Sequence, residues 1–164
     1  MELLDHPFFG VLSLRMQLVE DANVPTLAVD GRSIFYNPDF IMSLEENLCV
    51  SAIAHEVMHP ALDHMYRRNG RDPRKWNVAC DYAANLILRD ACLPIAPGWL
   101  CSPVYRDMSA EQIYEALPDD DGKGGPQPQD QMLPPPPGVD GESQEDLEVE
   151  WKLATVQAAK IAKG

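Results

Sequence analysis

Between Pro118 and Ser143 the chain changes character. Asp119-Asp120-Asp121, Gly124-Gly125 and Pro134-Pro135-Pro136-Pro137 fall in a stretch nearly free of bulky apolar groups. Such a stretch buries too little surface to offset the entropy lost on ordering it. It is expected to be an acidic, Pro/Gly-rich, disordered linker over 118–143. That confines the compact unit to residues 1–117 and leaves 144–164 as a helix that either docks on it or begins a further domain. A chain of 164 residues, 45% of them apolar, has enough material for one core.

Charge and cysteine usage narrow the class. A net charge of -13 argues against electrostatic binding to a phosphate backbone, which needs clustered Lys and Arg. The one basic cluster, from Arg67-Arg68 through Arg71 to Lys75, is small and interrupted by Asp72. No nucleic-acid partner is expected. No apolar run approaches the roughly 18 to 20 residues of a membrane helix, and Met1-Glu2-Leu3-Leu4-Asp5 lacks the blocks of a secretory signal. Cys49, Cys80, Cys92 and Cys101 form no C-x-x-C pair and are read as reduced thiols. A cytoplasmic protein without a membrane partner is the expectation.

Local signals give a mainly helical reading. Leu12, Met16 and Val19 recur at helical spacing, so a helix is expected between the N-terminus and about Asn23. Thr26–Val29 and Ser33–Tyr36 flank Asp30-Gly31, which favours a hairpin with a type I′ turn. Ser43 with Glu46 has the form of a capping box and predicts a helix that runs towards Arg68 and stops near Gly70. Asp72-Pro73 reads as an N-cap with proline at the first helical position, opening a helix to about Ala91. Ser109 with Gln112 caps a short helix to Leu117. In the tail, Leu147, Trp151, Ala154, Ala158 and Ile161 share a helical face.

The chemistry resides in His55-Glu56-Val57-Met58-His59. On a helix, residues four apart lie about 40° from each other around the axis, so both imidazoles leave one face a turn apart and can grip one ion. Glu56, beside the first imidazole, can reach a water on that ion, the arrangement that metalloproteases use. The competing reading is an accidental match, with the histidines as ordinary core or surface groups. Two features weigh against it: His64 adds a third histidine within ten residues, and Ser51–Ala54 makes the preceding turn small and buriable.

A catalytic zinc takes three protein ligands and leaves a position for water. On an unbroken helix His64 would face away from the ion, about 180° from His55. Pro60 complicates that geometry by removing a helical hydrogen bond. A supporting role for His64 is preferred, with ligation as the alternative. Asn77, Asp81 and Asn85 share a face of the following helix among Val78, Ala83, Ala84, Leu86 and Ile87, where a carboxylate wants a cation. Asp81 is therefore the preferred third ligand; the competing reading has it capping a turn or pairing with Arg67, Arg68 or Arg74.

With these motifs in place, the chain resembles the metallopeptidase domains that usually precede a von Willebrand A-like domain in bacterial and phage proteins. The likeness runs from about Pro7 to Leu117 through Val24-Pro25-Thr26, Asp30-Gly31-Arg32, Tyr36-Asn37-Pro38, His55 to His59, His64, Gly70-Arg71-Asp72-Pro73, Trp76 to Asn85 and Met108 to Tyr114. It implies an α+β, mainly helical, zincin-like fold: the motif helix, a following ligand helix and a small antiparallel hairpin. It also implies a zinc endopeptidase in which His55 and His59 hold the metal, Glu56 is the catalytic acid/base and Asp81 falls where a further ligand is expected. A protein or peptide substrate follows, with a von Willebrand A-like domain after Gly164 in the full-length protein. The alternative is a non-catalytic, zinc-stabilised binding or regulatory module that acts through that further domain.

Overall fold

Why the sheet is mixed follows from where the N-terminal segment turns. The computed structural model describes residues 6–119, 125–134 and 144–163. Helix α1 (Pro7–Ser13) stops early, and Gln17–Glu20 becomes strand β1. The expected single helix to about Asn23 is thus a helix and a strand. Leu12 and Met16 are both buried in the same cluster, which helical and extended spacing satisfy equally well here.

Strands β2 (Leu27–Val29) and β3 (Ser33–Tyr36) pair antiparallel, with Val29 opposite Ile34. The turn differs from the expected one. Its central residues are Gly31 and Arg32, and of the two only Gly31 has a positive φ, +94°, whereas type I′ needs two. The Asp30 carboxylate accepts hydrogen bonds from the Arg32 and Ser33 amides at 2.9 and 2.8 Å and fixes the turn. β1 joins β3 in parallel, and a fourth strand, β4 (Gln131–Met132), joins β2 in parallel. The order is β1-β3-β2-β4.

The helices build the remainder. Asn37 caps α2 (Pro38–Ser43) by accepting from the Asp39 amide. Ser43 ends that helix instead of opening the next: its hydroxyl donates to Phe40 O, and α3 (Glu46–Ala61) starts after Glu45 with no side-chain cap. α3 also ends sooner than expected. Pro60 lies in its last turn, and Asp63 then adopts a left-handed φ of 58°, leading into a 3-10 turn at His64–Tyr66. α4 (Pro73–Asp90) begins as the sequence predicts, with Asp72 accepting from the Lys75 amide and Pro73 in the first turn. α5 (Ala110–Ala116) carries the full Ser109/Gln112 capping box.

α6 (Gln144–Lys163) lies on the body of the protein. Leu147, Trp151, Ala154 and Ala158 are buried in the cluster that includes Leu12, Val29, Ile34 and Val57, while Ile161 is exposed. The Trp151 indole N–H donates to Gly31 O at 2.7 Å, so α6 is keyed to the hairpin turn. Residues 125–134 also depart from the expectation of a disordered linker. They contribute β4 and the buried Asp130. Asp120-Asp121 and Pro135-Pro136-Pro137 of the expected linker lie outside the described residues. Among the described residues no helix is long and apolar enough to cross a membrane.

Candidate metal centre

Small side chains let the two central helices come together. Ala54 and Met58 of α3 pack with Ala84 and Leu88 of α4, and this brings the adjoining His55 against Asp81 and Asn85. The His55 Nδ1 is 2.8 Å from Asn85 Oδ1 and its Nε2 is 3.1 Å from Asp81 Oδ1. One turn on, His59 Nε2 lies 3.1 Å from His55 Nε2 and 3.4 Å from Asp81 Oδ1. His55, Glu56, His59, Asp81 and Asn85 are all buried. The predicted His55, His59 and Asp81 are thus together, and Asp81 makes its contacts here instead of with Arg67, Arg68 or Arg74.

His64 reaches the same place by another route. The left-handed Asp63 reverses the chain after α3, and His64 Nδ1 comes to 2.9 Å from His59 Nδ1. Its carbonyl accepts the Trp76 indole N–H at 2.8 Å. The backbone reversal removes the helical geometry that would have turned His64 away. Its ring meets the far side of His59, not the point where His55, His59 and Asp81 converge.

A fourth group enters from the segment read as linker. Asp130 Oδ2 lies 2.7 Å from His59 Nε2 and 3.5 Å from His55 Nε2. Asn77 Nδ2 donates to Asp130 O at 2.8 Å, and Gln129 N donates to Asp81 Oδ2 at 2.8 Å. Asp130 is not among the residues that the sequence predicts for the site. The available signal was Met132-Leu133, a bulky apolar pair directly after Gln129-Asp130-Gln131 in an otherwise polar stretch.

The donor set suits a cation. His55, His59, Asp81 and Asp130 each offer one ligand atom, and these atoms lie within 4.8 Å of one another. Asn85 donates both to Leu100 O and to Gln129 Oε1, so its Oδ1 faces His55 Nδ1 as an acceptor. The His55 proton then sits on Nδ1, and its Nε2 lone pair points at carboxylate oxygens and a second imidazole. Both oxygens of Glu56 are buried without a hydrogen bond, and the buried Asp130 carboxylate has none beyond its close approach to His59 Nε2. Buried carboxylates of this kind need a paired or coordinated cation.

Charge states point the same way. Burial pushes His55 down, but Asp130 and Asp81 outweigh it and hold the imidazole well above its usual range. His59 is raised by the same balance. Burial pushes Asp130 up, yet His59 and His55 hold it well below the ordinary carboxylate range. Asp81 is raised by burial and then by Asp130, and Glu56 is pushed well up by burial and then by Asp130. Burial, followed by its histidine neighbours, drives His64 well below its usual value, so it is neutral. Positive charge belongs between Asp81 and Asp130.

A family model with the description "Putative metallopeptidase domain" matches residues 2–144, a span that includes every residue of the candidate centre. No curated protein and no solved structure matches the chain.

Proposed function

This chain belongs to that metallopeptidase-domain family, and from this premise we propose that it is a zinc-dependent peptidase domain of zincin-like type. The observation that carries the reading is the convergence of His55 Nε2, His59 Nε2 and Asp81 Oδ1, all within 3.4 Å of one another, beside the buried carboxyl of Glu56. His55, His59 and Asp81 would hold the ion. Two imidazoles and a carboxylate suit zinc and leave a coordination position for chemistry. When bound, the ion supplies Lewis acidity, polarising the scissile carbonyl and lowering the pKa of a water to about 7.

Everything else falls to the chain's own residues. Glu56 takes a proton from the attacking water and returns it to the leaving amine. Without the ion, burial and then Asp130 push its pKa up, and the charge of a bound cation would oppose both. Asn85 and His64 keep the far nitrogens of His55 and His59 occupied, so each presents Nε2. The substrate is a protein or peptide. A von Willebrand A-like domain following this one, and a cytoplasmic setting consistent with four free cysteines, belong to the same proposal.

Glu56→Gln tests it. The variant should retain its metal and lose cleavage of a peptide library by about 100-fold or more; equal cleavage by wild type and variant removes the reading. One observation favours a second function, a non-catalytic module with structural zinc: Asp130 completes a set of four side-chain donors, as in closed structural sites. Chelation separates the two. Global unfolding without any wild-type proteolysis favours the module; a folded metal-free form that regains activity with zinc favours the peptidase.

A further inference from the structure

We infer that residues 125–134 are a built-in latch, with Asp130 occupying the position where a water must sit and β4 covering the edge of β2, so that the structure is the resting form of the site. This inference rests on the peptidase reading above, because it concerns access to the same centre. A general base is of use only with room for water between it and the two imidazoles. Here that room is taken: Asp130 Oδ2 lies 2.7 Å from His59 Nε2 and 3.5 Å from His55 Nε2.

The latch has the make-up of a segment that can leave. Gln129 O accepts from the Thr26 hydroxyl at 2.9 Å, Asp130 O from Asn77, and Val29 O from the Leu133 amide at 2.8 Å. Gln129 adds its amide to Asp81 and its side chain to Asn85. Besides the contact of Asp130 with His59, these are hydrogen bonds, each contributing roughly 1 kcal/mol net. Apolar anchoring is slight, since Met132 is only partly buried and β4 is two residues long. Segments held in this way open locally at far lower cost than the core.

Opening would also create a binding surface. β4 is the outermost strand beside β2, so its departure bares a strand edge that an extended peptide can take up by main-chain hydrogen bonding. The segment already lines a cleft of about 900 Å³ together with Thr26, Arg68, Arg74 and Trp76. A peptide in that cleft would lie along the path that the latch now follows.

Zinc-loaded wild type, Asp130→Ala and Leu133→Pro proteins are titrated with acetohydroxamate, a small metal-binding probe, by calorimetry, with zinc content measured in parallel. Asp130→Ala should keep its zinc and bind the probe at least about tenfold more tightly than wild type. Leu133→Pro, which removes the amide that pairs with Val29 O, should shift affinity the same way with Asp130 intact. In wild type, the probe should speed hydrogen exchange at the Gln129 and Leu133 amides. Equal affinities, or loss of zinc from Asp130→Ala, overturn the latch and make Asp130 a fixed structural ligand. Should Asp130→Ala fail to fold, Leu133→Pro and amide exchange decide the matter. Peptide cleavage by the same samples keeps the two ideas apart. Tighter probe binding with no cleavage by any variant leaves the latch and removes the peptidase, whereas wild-type cleavage as fast as that of Asp130→Ala does the reverse.

Discussion

Asn85 and His64 act on the centre without offering it an atom. The Asn85 nitrogen is committed to Leu100 O and Gln129 Oε1, so only its oxygen can face His55 Nδ1, and the imidazole is locked in one tautomer. His64, neutral because burial drives its pKa well down, can accept from His59 Nδ1 through its own Nδ1. Partners of this kind orient metal-binding imidazoles and raise their basicity. Replacing Asn85 by Ala, or His64 by Leu, should therefore weaken zinc binding by about 10- to 100-fold with the fold retained. Competition against a chromophoric chelator measures the affinity, and circular dichroism checks the fold. Unchanged affinity in both variants would reduce the two contacts to packing.

At the scale of elements, α6 shows how packing fixes a segment whose sequence leaves its placement open. Its apolar face was legible as Leu147, Trp151, Ala154 and Ala158, but helical spacing says nothing about which surface receives it. The receiving surface is the hairpin turn, where Gly31 has φ +94° and a Cβ would meet Leu147 Cδ2 at 3.3 Å. Trp151 is the anchor, fully buried and hydrogen-bonded to Gly31 O. Trp151→Ala should cost about 3–5 kcal/mol in urea unfolding, in the range of large aromatic truncations in cores; a loss under about 1 kcal/mol would mean that α6 is not part of the cooperative unit. The same contrast runs through the chain. Side-chain caps written locally, at Asp72 and Ser109, appear where the sequence puts them. The capping pair at Ser43 failed because Asn37-Pro38 had already opened α2, whose last residue Ser43 becomes. The motif helix was legible from spacing alone; the arrival of Asp130 was not, since it depends on β4 finding β2 across about a hundred residues of chain, as the Thr26 to Gln129 bond shows. Composition describes what a stretch can bury by itself, and Asp130 is buried by a site that other segments build.

For the whole molecule, the ion and the proton compete for the same nitrogens, which makes stability depend on pH in a definite direction. In the metal-free protein His55 is held well above 6.5 and His59 above 6.5, because Asp130 and Asp81 outweigh burial. The folded state therefore keeps protons that the unfolded chain releases near 6.5. That stabilisation is fully present below about 6.5 and is lost as pH rises through the raised folded values. Glu56, raised well above 4.5 by burial and then by Asp130, acts in the same direction once pH exceeds 4.5. His64 works the opposite way, since its lowered pKa penalises the folded state as pH falls below 6.5. Its Nδ1 faces His59 and not the ion, so this penalty largely cancels between the metal-free and metal-loaded forms. Zinc must displace the protons on His55 and His59, and each displaced proton weakens zinc binding by up to about 1.4 kcal/mol per pH unit while the imidazole stays protonated. The gain in melting temperature from zinc should accordingly be small near pH 6 and grow steadily towards pH 8.5, and adding zinc to weakly buffered protein at pH 7 should release protons. Thermal melts with zinc and with chelator across that range read the difference directly. A zinc-dependent gain that is flat or shrinks as pH rises would mean that the two imidazoles do not bind the ion.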